Sequence, residues 1–181
     1  MIKNSAWRPV ALSLTVLGAM ARLLPHPPNF VPVGSMSLFA GARLSVWQAY
    51  LVPLALMAVT DPILGAFYGV AAFSNMQLFV YASFLISVWI GRRLRATENV
   101  SRIGASVVIN SVQFFLLTNF GSWVVSHSYA KTLSGLAACY VAAIPFFGWT
   151  LASDLFYSGV LFGLYAWLSR TVATRERVAV A

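Results

Sequence analysis

The sequence predicts an all-α integral membrane protein, one domain built as a bundle of six transmembrane helices, and three observations carry that prediction. The chain has 181 residues, 60% of them hydrophobic and only 9% charged, and so few charges cannot clothe a water-soluble surface. Apolar runs recur as far as residue 170 instead of appearing once near the start, which reads as repeated spans and not as a cleaved secretory leader. Aromatic residues make up 14% of the chain. Trp7, Trp47, Trp89 and Trp123 fall near segment ends, where amphipathic rings favour the lipid headgroup level.

Breaks at Pro, Gly and charge divide the chain into segments at about 9–24, 33–43, 46–65, 73–91, 103–121 and 148–169. The first, PVALSLTVLGAMARLL, sets Ala11, Thr15 and Ala19 four apart with Gly18 beside them. Such a stripe of small residues admits another helix at close range, within the bundle or on a partner. The connection 25–32 holds four of the eight prolines, Pro25, Pro27, Pro28 and Pro32, which bias it to an extended course with little entropy to lose. The segment 33–43 is short: at 1.5 Å per residue it rises about 16 Å, against a hydrocarbon core of about 30 Å, so it must be tilted, irregular, or extended into Phe30 and Val46. LSGLAACYVAAIPFF, 133–147, is apolar as well, yet Pro145 and its length favour a partly buried or re-entrant helix within an outer loop 122–147.

Charge sets the orientation. With six spans and both termini cytoplasmic, Lys3, Arg8, Arg43, Arg92, Arg93, Arg95, Arg102, Arg170, Arg175 and Arg177 lie inside, leaving only Arg22 and Lys131 outside. That asymmetry is the one the positive-inside rule demands. It places loop 25–32 on the outer face beside the loops 66–72 and 122–147. The net charge of +8 is therefore a topology signal, and a nucleic-acid partner is excluded. No GxxxxGK[ST] motif is present, so the chain does not itself hydrolyse ATP. A single cysteine, Cys139, excludes an internal disulfide and a thiolate metal cage.

Ionisable groups at membrane depth are costly and mark sites. Of the four acidic residues, Asp61 and Asp154 stand in apolar surroundings. Asp61 before Pro62 reads first as a helix N-cap, whereas TLASDLFYSG offers Asp154 no such role. Asp154, Tyr157, Ser158, Leu161 and Tyr165 share one helical face, as do Asn110 and Gln113, with Asn119 and Trp123 toward the outer end. Together with Asn75, Gln77 and the outer loops they point to an outward-facing polar-aromatic cavity; singly, each amide is ordinary interhelical glue. His26, His127 and Cys139 offer ligand atoms for a metal or a cobalt centre, but no HxxxH or CxxC spacing links them, and exposed loop histidines are the plainer reading. No GxSxG or comparable context is present, and an enzyme is not expected.

RLLPHPPNFVPVGSMSLFAGA, VPLALMAVTDPILG, FFLLTNFGSWV and AIPFFGWTLASDLFYSGVLFG resemble the signature blocks of a group of small, uncharacterised bacterial membrane proteins. That group is allied to the substrate-binding S components of energy-coupling-factor vitamin transporters, and the resemblance covers about residues 8–168. It implies a six-helix bundle in the bacterial inner membrane that binds a micronutrient at its outer side under the loop after the first helix. It further implies that Ala11, Thr15 and Ala19 face a transmembrane coupling protein driven by two ATPases, although Thr15 departs from the all-alanine stripe, and some relatives act alone. Solitary cobalamin-binding relatives use a cysteine near the outer side as a cobalt ligand, for which Cys139 is the candidate here.

The expected function is therefore uptake of a vitamin-like compound, with no resident cofactor and a corrinoid as the first ligand to try. The expected contacts are Asp154, Tyr157, Asn110, Gln113, Asn119, Trp123, His26 and Asn29. Two alternatives stand beside it: a non-transporting membrane interaction protein, and a proton- or cation-coupled carrier using Asp61 and Asp154.

Overall fold

The computed structural model describes residues 7–69, 71, 73–95 and 97–179, with side chains as far as Thr171. Lys3 and the side chains of Arg175, Glu176 and Arg177 lie outside the described residues. Within it the helices are α1 (Arg8–Ala21), α2 (Val33–Arg43), α3 (Val46–Tyr68), α4 (Met76–Arg92), α5 (Val100–Val125) and α6 (Leu133–Ala179). Of these, α3, α5 and residues 133–171 of α6 are long and apolar enough to cross a membrane, and α1 and α4 are shorter apolar helices.

The shortest helix is the central one. α2 touches all five others, and Val33 through Ala42 are all buried. Its sequence, VGSMSLFAGAR, follows from that position, because small residues let surrounding helices approach from every side. The α2–α4 contact is the closest case: a Cβ on Gly41 would lie 3.0 Å from the Val88 carbonyl carbon, and one on Gly91 would lie 2.9 Å from that of Leu38. Each helix thus spends a glycine to press its backbone on the other. The extension of 33–43 into Phe30 and Val46 is corrected: the helix runs only from Val33 to Arg43. α2 stays eleven residues long, because protein surrounds it and it need not match the thickness of a bilayer.

The connections 22–32 and 126–132 lie at one end, where Asn29 lines a cavity together with Asn119 and Ala143. The connection 44–45 and residues 93–95 and 97–99 form the other end, where Arg43 Nη2 donates to Thr97 O at 2.8 Å and Arg170 pairs with Glu98 at 2.7 Å. They are called here the proline-rich end and the basic end.

Three further expectations are corrected. The outer loop or re-entrant segment 122–147 does not form: α5 runs to Val125, a short turn follows, and 133–147 is continuous with the last segment in one helix of 47 residues. Pro145 removes one backbone hydrogen bond from that helix without ending it, as membrane helices commonly tolerate. Lys131 closes the turn by donating from Nζ to the carbonyls of Trp123, Val124 and Ser126 at the C-terminus of α5.

Asp61 caps nothing. It lies inside α3, buried, and its Oδ1 accepts from Arg22 Nη1 at 2.8 Å while Oδ2 accepts from the Tyr81 hydroxyl at 2.8 Å. The stripe on α1 faces inward. Ala11, Thr15 and Ala19 are 0%, 0% and 1% exposed, the Thr15 hydroxyl donates to Ala11 O at 2.8 Å, and Gly18 abuts Met36 and Leu161. These residues pack α1 into its own bundle and do not present a partner-helix interface.

Candidate functional site

Asp154 lies where α2, α5 and α6 meet. It is 3% exposed, and two serines from other helices hold its carboxylate. Ser111 Oγ on α5 donates to Oδ2 at 2.7 Å, and Ser35 Oγ on α2 lies 3.2 Å from Oδ1 and 2.9 Å from the Asp154 carbonyl oxygen. Gly34 makes the approach possible, since a Cβ there would sit 2.6 Å from Asp154 Oδ1. Asn110 is fully buried beside this cluster. Its Oδ1 accepts from Gln113 Nε2 at 3.3 Å, and the same nitrogen lies 3.2 Å from both Ser83 O and Ser87 Oγ on α4. A polar seam thus crosses the bundle from α4 through α5 to α6, along residues that an apolar surrounding makes costly to leave unpaired.

Toward the proline-rich end the same α5–α6 interface opens into a cavity of about 150 Å³. Four phenylalanines wall it, Phe114 and Phe115 from α5 and Phe146 and Phe147 from α6, and its polar edge is Asn29, Thr118, Asn119 and Thr150. Two of the rings pack directly, Phe115 on Phe147 at 5.1 Å between centroids. Asn119 is held in place by donating from Nδ2 to Phe115 O at 2.8 Å. A space of this size suits a single ring and its substituents, below the 300–1,000 Å³ typical of sites for larger ligands.

Loop 22–32 lies over this end because it is fastened on two sides. Arg22 is tied to Asp61 and, at 2.7 Å, to the Thr60 hydroxyl of α3. At the far side Phe30 packs against Trp149, Phe156 and Tyr157 of α6 with centroids 6.4, 6.0 and 5.7 Å away, and Ser153 Oγ donates to Val31 O at 2.7 Å. Between the anchors Asn29 takes a left-handed conformation, φ 62°, which Asn tolerates better than most residues. That turn sets Asn29 at the mouth of the cavity.

The expected site residues therefore divide. Asn29 and Asn119 line the cavity. Asp154, Asn110 and Gln113 belong to the seam behind it, and Tyr157 serves as a floor for Phe30. Trp123 turns away, donating from Nε1 to Ala130 O at 2.9 Å. His26 is engaged within its own loop, both ring nitrogens 3.1 Å from backbone carbonyls, those of Pro27 and Arg22. His127 is exposed, Cys139 is buried against Asn119 O at 3.5 Å, and among the described residues no three His, Cys, Asp or Glu side chains gather as a metal site would require. Asn75 is exposed and Gln77 accepts from the Ser74 hydroxyl; neither lines the cavity.

The sequence reading missed Ser35 and Ser111, the two hydroxyls on the carboxylate, and the four phenylalanines. A signal for Ser111 exists, since it adjoins Asn110 on the buried side of α5, whereas Ser35 sits in a helix buried on every side and stands out from nothing. The phenylalanines carry none, for a ring that lines a cavity and a ring that faces lipid look alike in sequence.

No curated protein and no solved structure matches the chain. A family model does match it, over residues 3–176. On that match, which takes in every helix and loop of the site, the chain belongs to a family of unknown function, DUF6580.

Proposed function

We propose that this is a membrane binding protein for a small, ring-containing organic micronutrient, taken up through the α5–α6 cavity beneath loop 22–32. The observation that carries the reading is the cavity itself: about 150 Å³, walled by four aromatic rings and edged by two asparagines and two threonines. Rings offer stacking and the edge groups offer orientation, the usual division of labour in a small-molecule site. The volume favours a single-ring vitamin or precursor over a corrinoid, and none of His26, His127 and Cys139 lines the cavity, where a cobalt would need its axial ligand.

The likeness to S components of vitamin transporters belongs to the same proposal, as do six spans, a bacterial inner-membrane location, cytoplasmic termini and an outward proline-rich end. The ten-to-two partition of basic residues supports that orientation. Transport then follows from tilting of the bundle, alone or with a coupling protein and two ATPases. Because the α1 stripe is packed inside the bundle, such a coupling protein docks on another surface.

A second reading, a non-transporting interaction protein, is favoured by one observation: the Asp154 carboxylate is satisfied internally by Ser111 and Ser35, as interhelical glue would be. One experiment separates the two. The purified protein is screened for thermal stabilisation by single-ring vitamins and by corrinoids, and retained small molecules are identified by mass spectrometry. The uptake reading expects a stabilising single-ring compound whose effect vanishes in Ala143→Phe, which fills the cavity, while that variant keeps its unliganded melting temperature. No stabilising compound and no retained ligand would leave the interaction reading standing.

A further inference from the structure

A second cavity, about 320 Å³, lies between α5 and α6 at the basic end, beyond Asp154 from the first. Its walls are apolar, Val100 and Ile103 from α5 and Phe162 from α6. Gly159 and Gly163, one turn apart on α6, line it differently from the glycines of α2 and α4: a Cβ on either would meet no atom within 4 Å. They leave an open trough where other glycines allow close packing. Ser158 stands in the wall, 2% exposed, with its hydroxyl unpartnered.

Charge sits at the rim. Arg43 is fixed there, donating to the carbonyls of Ala42, Leu94 and Thr97 at 3.4, 3.2 and 2.8 Å, with its guanidinium 5.2 Å from the ring centroids of Phe162 and Tyr165. Its Nε is buried without a partner. Arg170 pairs with Glu98 at 2.7 Å, both of them exposed. Two arginines and one glutamate leave the rim with one net positive charge.

We infer that this cavity is a binding site for an anionic phospholipid of the phosphatidylglycerol type. The phosphate sits at the Arg43–Arg170 rim, where it competes with Glu98, and an acyl chain lies in the trough over Gly159 and Gly163. A free anion needs no apolar trough, and an uncharged amphiphile needs no arginine pair. The two together on one helix interface match a lipid whose head is negative and whose tail is aliphatic. The surrounding face of α6 is suited to lipid, with Val160, Leu164 and Trp167 exposed. This site is independent of the micronutrient reading, which concerns the other end of the bundle.

The test uses the purified full chain in detergent, titrated with short-chain phosphatidylglycerol, phosphatidylethanolamine of the same chain length, or inorganic phosphate, and followed by thermal unfolding and native mass spectrometry. Phosphatidylglycerol is expected to form a one-to-one adduct and to raise the melting temperature by roughly 5 °C at saturation, and the other two to do neither. Gly163→Leu fills the trough in open space, does not lower the unliganded melting temperature, and weakens the adduct at least tenfold; Arg170→Gln weakens it without affecting the trough. Equal stabilisation by phosphatidylethanolamine, stabilisation by phosphate alone, or full binding by Gly163→Leu would overturn the assignment.

Discussion

Gly91→Ala tests the central packing of the bundle. A methyl added at Gly91 would lie 2.9 Å from the Leu38 carbonyl carbon and 3.1 Å from its Cα, and closer still to the carbonyl oxygen. Ordinary contacts begin near 3.4 Å. The obstacle is backbone, so no side chain can swing aside, and α2 must separate from α4 by the best part of an ångström. Overpacking of this kind costs about 1–3 kcal/mol or more, while Gly→Ala inside a helix returns up to about 1 kcal/mol of propensity.

Gly104→Ala supplies the matched control. No atom lies within 4 Å of its added Cβ, so only the propensity gain remains. The propensity gain is common to both, so the two variants should differ by the overpacking cost of about 1–3 kcal/mol, at roughly 2–4 °C of melting temperature per kcal/mol in a chain of this size. The assay is thermal unfolding in one detergent, read by loss of helical circular dichroism. Gly41→Ala acts on the same contact, so the Gly41→Ala/Gly91→Ala double variant should lose less than the sum of its parts. A Gly91→Ala protein as stable as Gly104→Ala would refute the claim that α2 and α4 touch through their backbones.

Two further outcomes are expected. Asp61→Asn strands Arg22, whose side chain is only 13% exposed, and should cost about 3–5 kcal/mol; the double variant Arg22→Met/Asp61→Leu should recover much of that loss, and equal instability of both would show that the pair does more than neutralise itself. Asp154→Asn should cost only about 1–2 kcal/mol, because Ser111 Oγ also has Val107 O at 3.1 Å and Ser35 Oγ has the Asp154 carbonyl at 2.9 Å. Complete loss of folded protein on that substitution, measured by size-exclusion profile, would contradict the estimate.

What could be read in the sequence is what depends on local composition and periodicity. The boundaries of α2 and the start of α3 match the breaks at 33, 43 and 46, since Pro32 and the Arg43–Ser45 step punctuate an otherwise apolar run. The shared face of Asn110 and Gln113 is present because helical spacing alone enforces it, and the isolation of Asp154 among apolar residues marked it as a ligand contact, whereas it lies in the seam behind the cavity, held by Ser111 and Ser35. Local signals misled where a tertiary neighbour outweighed them. Asp61 before Pro62 looks like a cap until Arg22, 39 positions away, supplies its counter-charge, and Pro145 looks like a break until the helix around it continues unbroken. The stripe Ala11, Thr15, Ala19 has the same pattern whether it faces a partner or α2. By itself the sequence determined that this chain is helical, apolar and asymmetrically charged, because those properties are sums over residues. Only the tertiary structure decided that α2 is the axis of the bundle, that Ser35 and Ser111 hold Asp154, and that four phenylalanines line one cavity. Each of those facts depends on which helices touch, and no single segment carries that information.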